Sequence, residues 1–145
     1  LGAPVGSALA GPRDLIRLAR RHRKVLGGGM RQAGIIAAGA LFALQNNVER
    51  LAEDHANAQR LAEAVRATEG LELQPPEIDT NMVIFHVDPA VATAAQLVSR
   101  LQESGVLVLA FGPTKIRAVT HLDVTEAEVG RAGEIIRETA GSFGR

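Results

Sequence analysis

TNMVIFHVD, residues 80–88, sets Met82, Ile84 and His86 against Val83, Phe85 and Val87 in strict alternation. A period of two is the pattern of a strand with one face turned inward. Working outward from it, Thr93 with Gln96 three positions later forms a capping box, opening a helix through Leu97, Val98 and Leu101 that Gly105 stops. VLVL (106–109) and IRAVT (116–120) are strands flanking an FGPT turn, and Thr125 with Glu128 opens a last helix through Val129, Ala132, Ile135 and Ile136. From residue 71 the order is strand, strand, helix, strand, strand, helix. That order predicts an α+β layer, a mostly antiparallel sheet covered by helices.

Upstream the period is helical. Leu41, Leu44, Val48, Leu51, His55, Ala58, Ala62 and Val65 recur in steps of three and four. The first half of this stretch, with AGIIAAGALFAL at 33–44, is apolar on all sides and is expected to be buried all round; the second half, EDHANAQRLAEAVRATEG at 53–70, is amphipathic. A break is expected at Asn46-Asn47, with Gly70 as the second helix's cap. Residues 1–10 read as a short strand or extended loop, with Gly2 and Gly6 at close backbone approaches. Gly11-Pro12 opens a helix whose wet side is Arg13, Arg17, Arg20, Arg21 and Arg23, and Gly27-Gly28-Gly29 ends it before another helix begins near Met30.

Composition bounds the function. The 145 residues contain no Cys, Trp or Tyr, which excludes disulfide frameworks, thiol nucleophiles and thiolate metal clusters and favours a reducing, cytoplasmic setting. The apolar run at 33–44 is too short to span a bilayer, and the first eleven residues lack the features of a signal peptide. The chain begins at Leu1 and is expected to start in the middle of something larger. Net charge is zero, yet residues 12–31 carry +6 and residues 32–145 carry −6. A local basic patch on a neutral chain suits a discrete anion better than a nucleic-acid track.

Three places can carry chemistry. In the GGGMRQ segment, glycines free backbone N–H groups, a helix start adds its positive end, Arg31 adds a fork and Lys24 a point charge, all suited to a phosphate; a plain turn beside a solvated basic helix is the competing reading. No G-K-[ST] follows, so it is not a Walker loop. Arg117 lies inside a strand, either as a carboxylate-binding fork or as an ordinary exposed arginine. His121 and Asp123 lack a third ligand for a metal site and read as turn and helix-start groups. His22 belongs to the basic face, His55 to the apolar ladder and His86 to the strand, and none is assigned a catalytic role. Asn81 reads as a turn residue or as a brace at a site edge.

LGAPVGSALAG, RRHRKVLGGGMRQAGIIAAGALFAL, NNVERLAEDHANAQRLAE, DTNMVIF and IRAVTHLDV, in this order and spacing, resemble the C-terminal part of low-specificity L-threonine aldolases. The resemblance runs essentially end to end. It implies an α/β chain of the pyridoxal-phosphate-dependent, aspartate-aminotransferase fold type: residues 1–45 the end of the large domain, 46–70 a connecting helix, and 71–145 the small α+β domain. It also implies a lyase that splits β-hydroxy-α-amino acids, threonine to glycine and acetaldehyde, with pyridoxal 5'-phosphate as cofactor. By the resemblance Arg117 clamps the substrate carboxylate, and Lys24 and Arg31 approach the cofactor's phosphate near a subunit interface of a homotetramer. The family's Schiff-base lysine, in an S-K-G-L-G segment, would stand two positions before Leu1. Lys24 and Lys115 are the lysines present and neither matches that position, so these residues by themselves are expected to be inactive. No metal, membrane or nucleic acid is implied. Two other functions stay open: a non-catalytic module whose basic helix binds a nucleic acid or acidic partner, and a related β-eliminating or transaminating enzyme.

Overall fold

The computed structural model describes residues 1–143. The chain divides into two compact units, Leu1–Glu49 and Arg50–Arg145.

The first unit holds two helices, α1 (Arg13–Val25) and α2 (Gly34–Asn46). Pro12 stands at the N-cap of α1, where its missing N–H costs nothing. The first ten residues form no regular element; they run back along α2, with the Asn47 side-chain amide donating to the Leu1 carbonyl at 2.6 Å. The close approach expected at Gly6 is not seen, since a Cβ there would meet the Ile36 side chain at an ordinary 3.5 Å; Gly2 and Gly6 instead take positive φ values of 81° and 113°, and the tight position is Gly39, where a Cβ would sit 3.0 Å from the Pro4 ring. Two further expectations fail. The helix predicted near Met30 begins at Gly34, because Arg31–Ala33 bend and Gln32 adopts a left-handed φ of 51°. The expected all-round burial of 33–44 is also absent: Ala43 is the one buried residue of α2, and Phe42 is 63% exposed.

The second unit opens on α3 (Leu51–Arg66), separated from α2 by the break predicted at the Asn pair, where Asn46 ends α2 and Asn47 is its C-cap. The helix stops at Arg66 with Ala67 as C-cap, so Gly70, at φ +81°, ends the following turn rather than capping the helix. The remaining elements are β1 (Leu71–Leu73), β2 (Met82–Val87), α4 (Ala94–Glu103), β3 (Leu109–Ala110), β4 (Lys115–Val119) and α5 (Glu126–Gly141), in the predicted order. Both capping boxes form, Thr93 with Gln96 and Thr125 with Glu128. The sheet is antiparallel throughout, in the order β1-β2-β4-β3. VLVL contributes only Leu109 to its strand, because Val106 turns back to donate to the Leu101 carbonyl at the end of α4.

Val83, Phe85, Val87, Ile116 and Ala118 point to one side of the sheet and form the core with Leu61, Val65, Leu97, Leu101, Val129 and Ile136 from the three helices. A Cβ on Gly133 would lie 2.7 Å from the Ala64 Cβ, so α3 and α5 pack that closely only because residue 133 has no side chain. The opposite side carries Met82, Ile84 and His86 of β2 and Lys115, Arg117 and Val119 of β4, all partly or fully exposed. The period of two in the sequence thus becomes one covered face and one open face.

Candidate functional site

Arg117 stands in the middle of the open face. It pairs with Ile84 on β2 and with Leu109 on β3, and alternation places Met82 and Val119 on the same face. These neighbours are apolar, and no carboxylate pairs with Arg117 among the described residues. Its Nε is buried and without an acceptor. A guanidinium N–H in that state lacks a charge-assisted hydrogen bond, and an anion reaching the fork would supply it where water competes poorly. The neighbouring strands provide the half-burial and the geometry provides the donor.

The end of the same strand is fastened by buried polar contacts. Thr120, 2% exposed, donates its hydroxyl to the Asp54 carbonyl in the first turn of α3 at 2.6 Å. Its backbone N–H donates to the Asn81 carbonyl at 3.0 Å, and the Asn81 side-chain amide donates to the Thr120 carbonyl at 2.7 Å. Asn81 stands in the bend before β2, as its turn reading expects, and also ties the two strand ends together through these bonds. Arg50 at the N-cap of α3 makes no capping bond; its guanidinium instead grips the Asp54 carboxylate through two hydrogen bonds, of 3.0 and 2.8 Å. The Asp54 hydrogen bond and charge hold the Arg50 pKa above its ordinary value. No local pattern marks the Thr120–Asp54 contact, because its two ends are 66 residues apart.

Lys24 and Arg31 belong to the first unit. Lys24 lies in the last turn of α1 and folds over the glycine turn, so that a Cβ on Gly29 would lie 2.7 Å from its Cδ. Arg31 stands two residues farther on, exposed, at the bend before α2, and neither side chain forms an ion pair among the described residues. The backbone N–H groups at the start of α2 lie beyond Arg31 rather than at Met30, so the positive helix end follows the basic residues instead of coinciding with the glycines.

The histidines keep modest roles. His121 accepts from the Asp123 N–H at 3.3 Å and lies 3.6 Å from its carboxylate, a turn arrangement as expected. His55 is half-buried on α3 and His22 is exposed on α1. His86 on the open face touches the Thr114 hydroxyl at 3.2 Å through Nδ1, and its Nε2 is buried without a partner. No cluster of three metal-ligating side chains exists among the described residues. None of their helices is long and apolar enough to cross a membrane. A cleft of about 630 Å³ opens where residues 106–108 part from 118–121, floored by Leu61 and α5.

Comparison with known proteins agrees with this architecture. The chain is 46% identical over 129 residues to the low specificity L-threonine aldolase of Escherichia coli, covering 89% of this chain and 37% of that protein. It is 40% identical over 130 residues to low-specificity L-threonine aldolase 1 of Arabidopsis thaliana, covering 89% and 36%. The chain thus spans little more than a third of the length of these relatives. Among solved structures, the aminotransferase TlmJ from Streptoalloteichus hindustanus matches with a TM-score of 0.69 at 15% identity, over 89% of this chain and 46% of that one. Ornithine delta-aminotransferase of Plasmodium falciparum matches with a TM-score of 0.58 at 19% identity, over 74% and 28%. These likenesses show a shared fold, that of the aminotransferases. The profile of the beta-eliminating lyases matches residues 1–89, and the chain belongs to that family.

Proposed function

We propose that these residues supply the substrate-carboxylate side, and part of the phosphate side, of a pyridoxal-phosphate-dependent lyase that cleaves β-hydroxy-α-amino acids, threonine to glycine and acetaldehyde. The observation that carries the reading is the Arg117 fork on the open sheet face, with a buried Nε that has no acceptor. A planar guanidinium there suits a planar carboxylate, and holding the carboxylate fixes the amino acid's orientation. Orientation matters because the bond to be broken must stand perpendicular to the cofactor's ring. Pyridoxal phosphate, when bound, supplies a conjugated system that takes up the electron pair of the broken Cα–Cβ bond.

Lys24, Arg31 and the backbone N–H groups at the start of α2 are donors of the kind a phosphate dianion takes, and none is consumed by an acidic side chain among the described residues. We assign them to the cofactor's phosphate on that basis and on the family likeness. In the same reading residues 1–45 close a large cofactor-binding domain, 46–70 connect, and 71–145 form the small domain. A homo-oligomer, a tetramer by the resemblance, would cover the apolar side chains that α2 leaves exposed, and the cysteine-free composition favours the cytoplasm.

The test is Arg117→Ala in a polypeptide of the family's full length that carries these residues. Losing a charge-assisted hydrogen bond of about 1.5–3 kcal/mol predicts a ten- to hundredfold drop in kcat/KM for threonine. Unchanged kinetics would remove Arg117 from the site.

A further inference from the structure

β4 is held unevenly along its length. Ile116 and Arg117 pair with β3 on one side and β2 on the other, whereas Ala118 and Val119 pair with β2 alone. Beyond Arg117 the strand therefore faces the cleft between residues 106–108 and 118–121, where no β3 residue supports it. Arg117 is the last residue of β4 braced from both sides.

The Thr120 contacts stand where that support ends. The hydroxyl reaches across to the Asp54 carbonyl at 2.6 Å, with a longer contact of 3.4 Å to the Asn81 carbonyl. The Asn81 amide holds the Thr120 carbonyl from the β2 side at 2.7 Å. The acceptor is itself immobilised, because Asp54 lies in the helical turn that Arg50 clamps. A buried hydroxyl with a fixed acceptor sets the path of its backbone, and three residues upstream that path sets where the Arg117 fork stands.

We propose that Thr120 is a positioning residue for Arg117: its hydroxyl, donated to the first turn of α3, fixes the end of β4 that β3 does not reach and with it the height of the carboxylate-binding fork. This inference rests on the carboxylate role assigned to Arg117 above. Valine keeps the shape of threonine and removes the hydroxyl; serine keeps the hydroxyl.

The test compares Thr120→Val, Thr120→Ser and Arg117→Lys in the full-length family polypeptide, with kinetics taken at a temperature where all are folded. Thr120→Val is expected to raise the KM for threonine about three- to tenfold with kcat within about twofold, and Thr120→Ser to restore the parent KM. A parent-like KM for Thr120→Val, with Arg117→Lys raising KM, overturns the positioning role and leaves the carboxylate reading standing. A parent-like KM for Arg117→Lys overturns both. Should Thr120→Val fail to fold, Asn81→Ala removes the second tie to the same residue and must raise KM in the same direction; a parent-like value there also overturns the proposal. A readout independent of turnover is the Arg117 Nε–H resonance of this 145-residue chain, assigned by its loss in Arg117→Lys. Thr120→Val or, failing that, Asn81→Ala should shift or broaden it, and Thr120→Ser should leave it in place.

Discussion

Helices α2 and α3 follow one another with four residues between them and treat apolar side chains in opposite ways. α2, GIIAAGALFALQN, is nearly all apolar and buries only Ala43. α3, LAEDHANAQRLAEAVR, is mostly polar, yet it buries Asp54, Asn57, Ala58, Leu61, Ala62 and Val65. Burial is thus decided by what lies opposite a helix and not by its own composition. α3 finds the sheet and α5 within its unit, and even its polar residues can be buried because Arg50 and the turn after β4 satisfy them. α2 is apolar nearly all round, and the short unit Leu1–Glu49 has too little chain to cover it.

The contrast is easiest to break with two phenylalanines. Phe85 is fully buried in the second unit and Phe42 is 63% exposed in the first. Phe85→Ala should cost about 3–5 kcal/mol of unfolding free energy in denaturant titration, whereas Phe42→Ala should stay within about 0.5 kcal/mol. Phe42→Ala should also reduce self-association seen by light scattering, because it removes exposed apolar surface. Equal losses of stability at the two sites would mean that the first unit has a core of its own.

A smaller effect sharpens the same comparison. α5 has a complete capping box, whereas neither α1 nor α2 has a side-chain cap. Thr125→Ala should therefore cost about 1 kcal/mol, read as a lower denaturation midpoint, and Ala33→Ser at the N-cap of α2 should gain no more than a fraction of that. The smallest effect is on pH dependence. The Thr125 N–H and hydroxyl hold the Glu128 carboxylate below its ordinary pKa of 4.5. A depressed carboxylate adds stability that is fully present above that pH and is lost as pH falls through the folded value. Glu128→Gln should therefore make stability less steep below about pH 4.5 while leaving the neutral range nearly unchanged; an acid limb identical to the parent's would show that the box does not titrate.

How much of the molecule is legible in its sequence follows from the range of the interactions. β2 and both capping boxes stand where the sequence places them, because their signals sit within three to six neighbouring residues. Alternation around Arg117 puts it on the wet face, but nothing local marks its buried, unpartnered Nε, since its cross-strand neighbours Ile84 and Leu109 come from other strands. The start of α2 departs from the sequence reading because the left-handed Gln32 has no local sequence mark. The contact of Thr120 with Asp54 is invisible in the sequence because it joins the exit of a strand to a helix that precedes the whole sheet. The family resemblance singles out Arg117, and the structure adds the buried contacts of Thr120 at the end of the same strand.

The most direct measurement is the binding of glycine and of methylamine to the cofactor-loaded, full-length family polypeptide, with and without Arg117→Ala, by isothermal titration calorimetry. The two ligands share an amine and differ by a carboxylate. If Arg117 grips that carboxylate, the substitution weakens glycine ten- to hundredfold, for a charge-assisted hydrogen bond of about 1.5–3 kcal/mol, and leaves methylamine unchanged. Equal effects on both ligands, or none on glycine, would contradict the account.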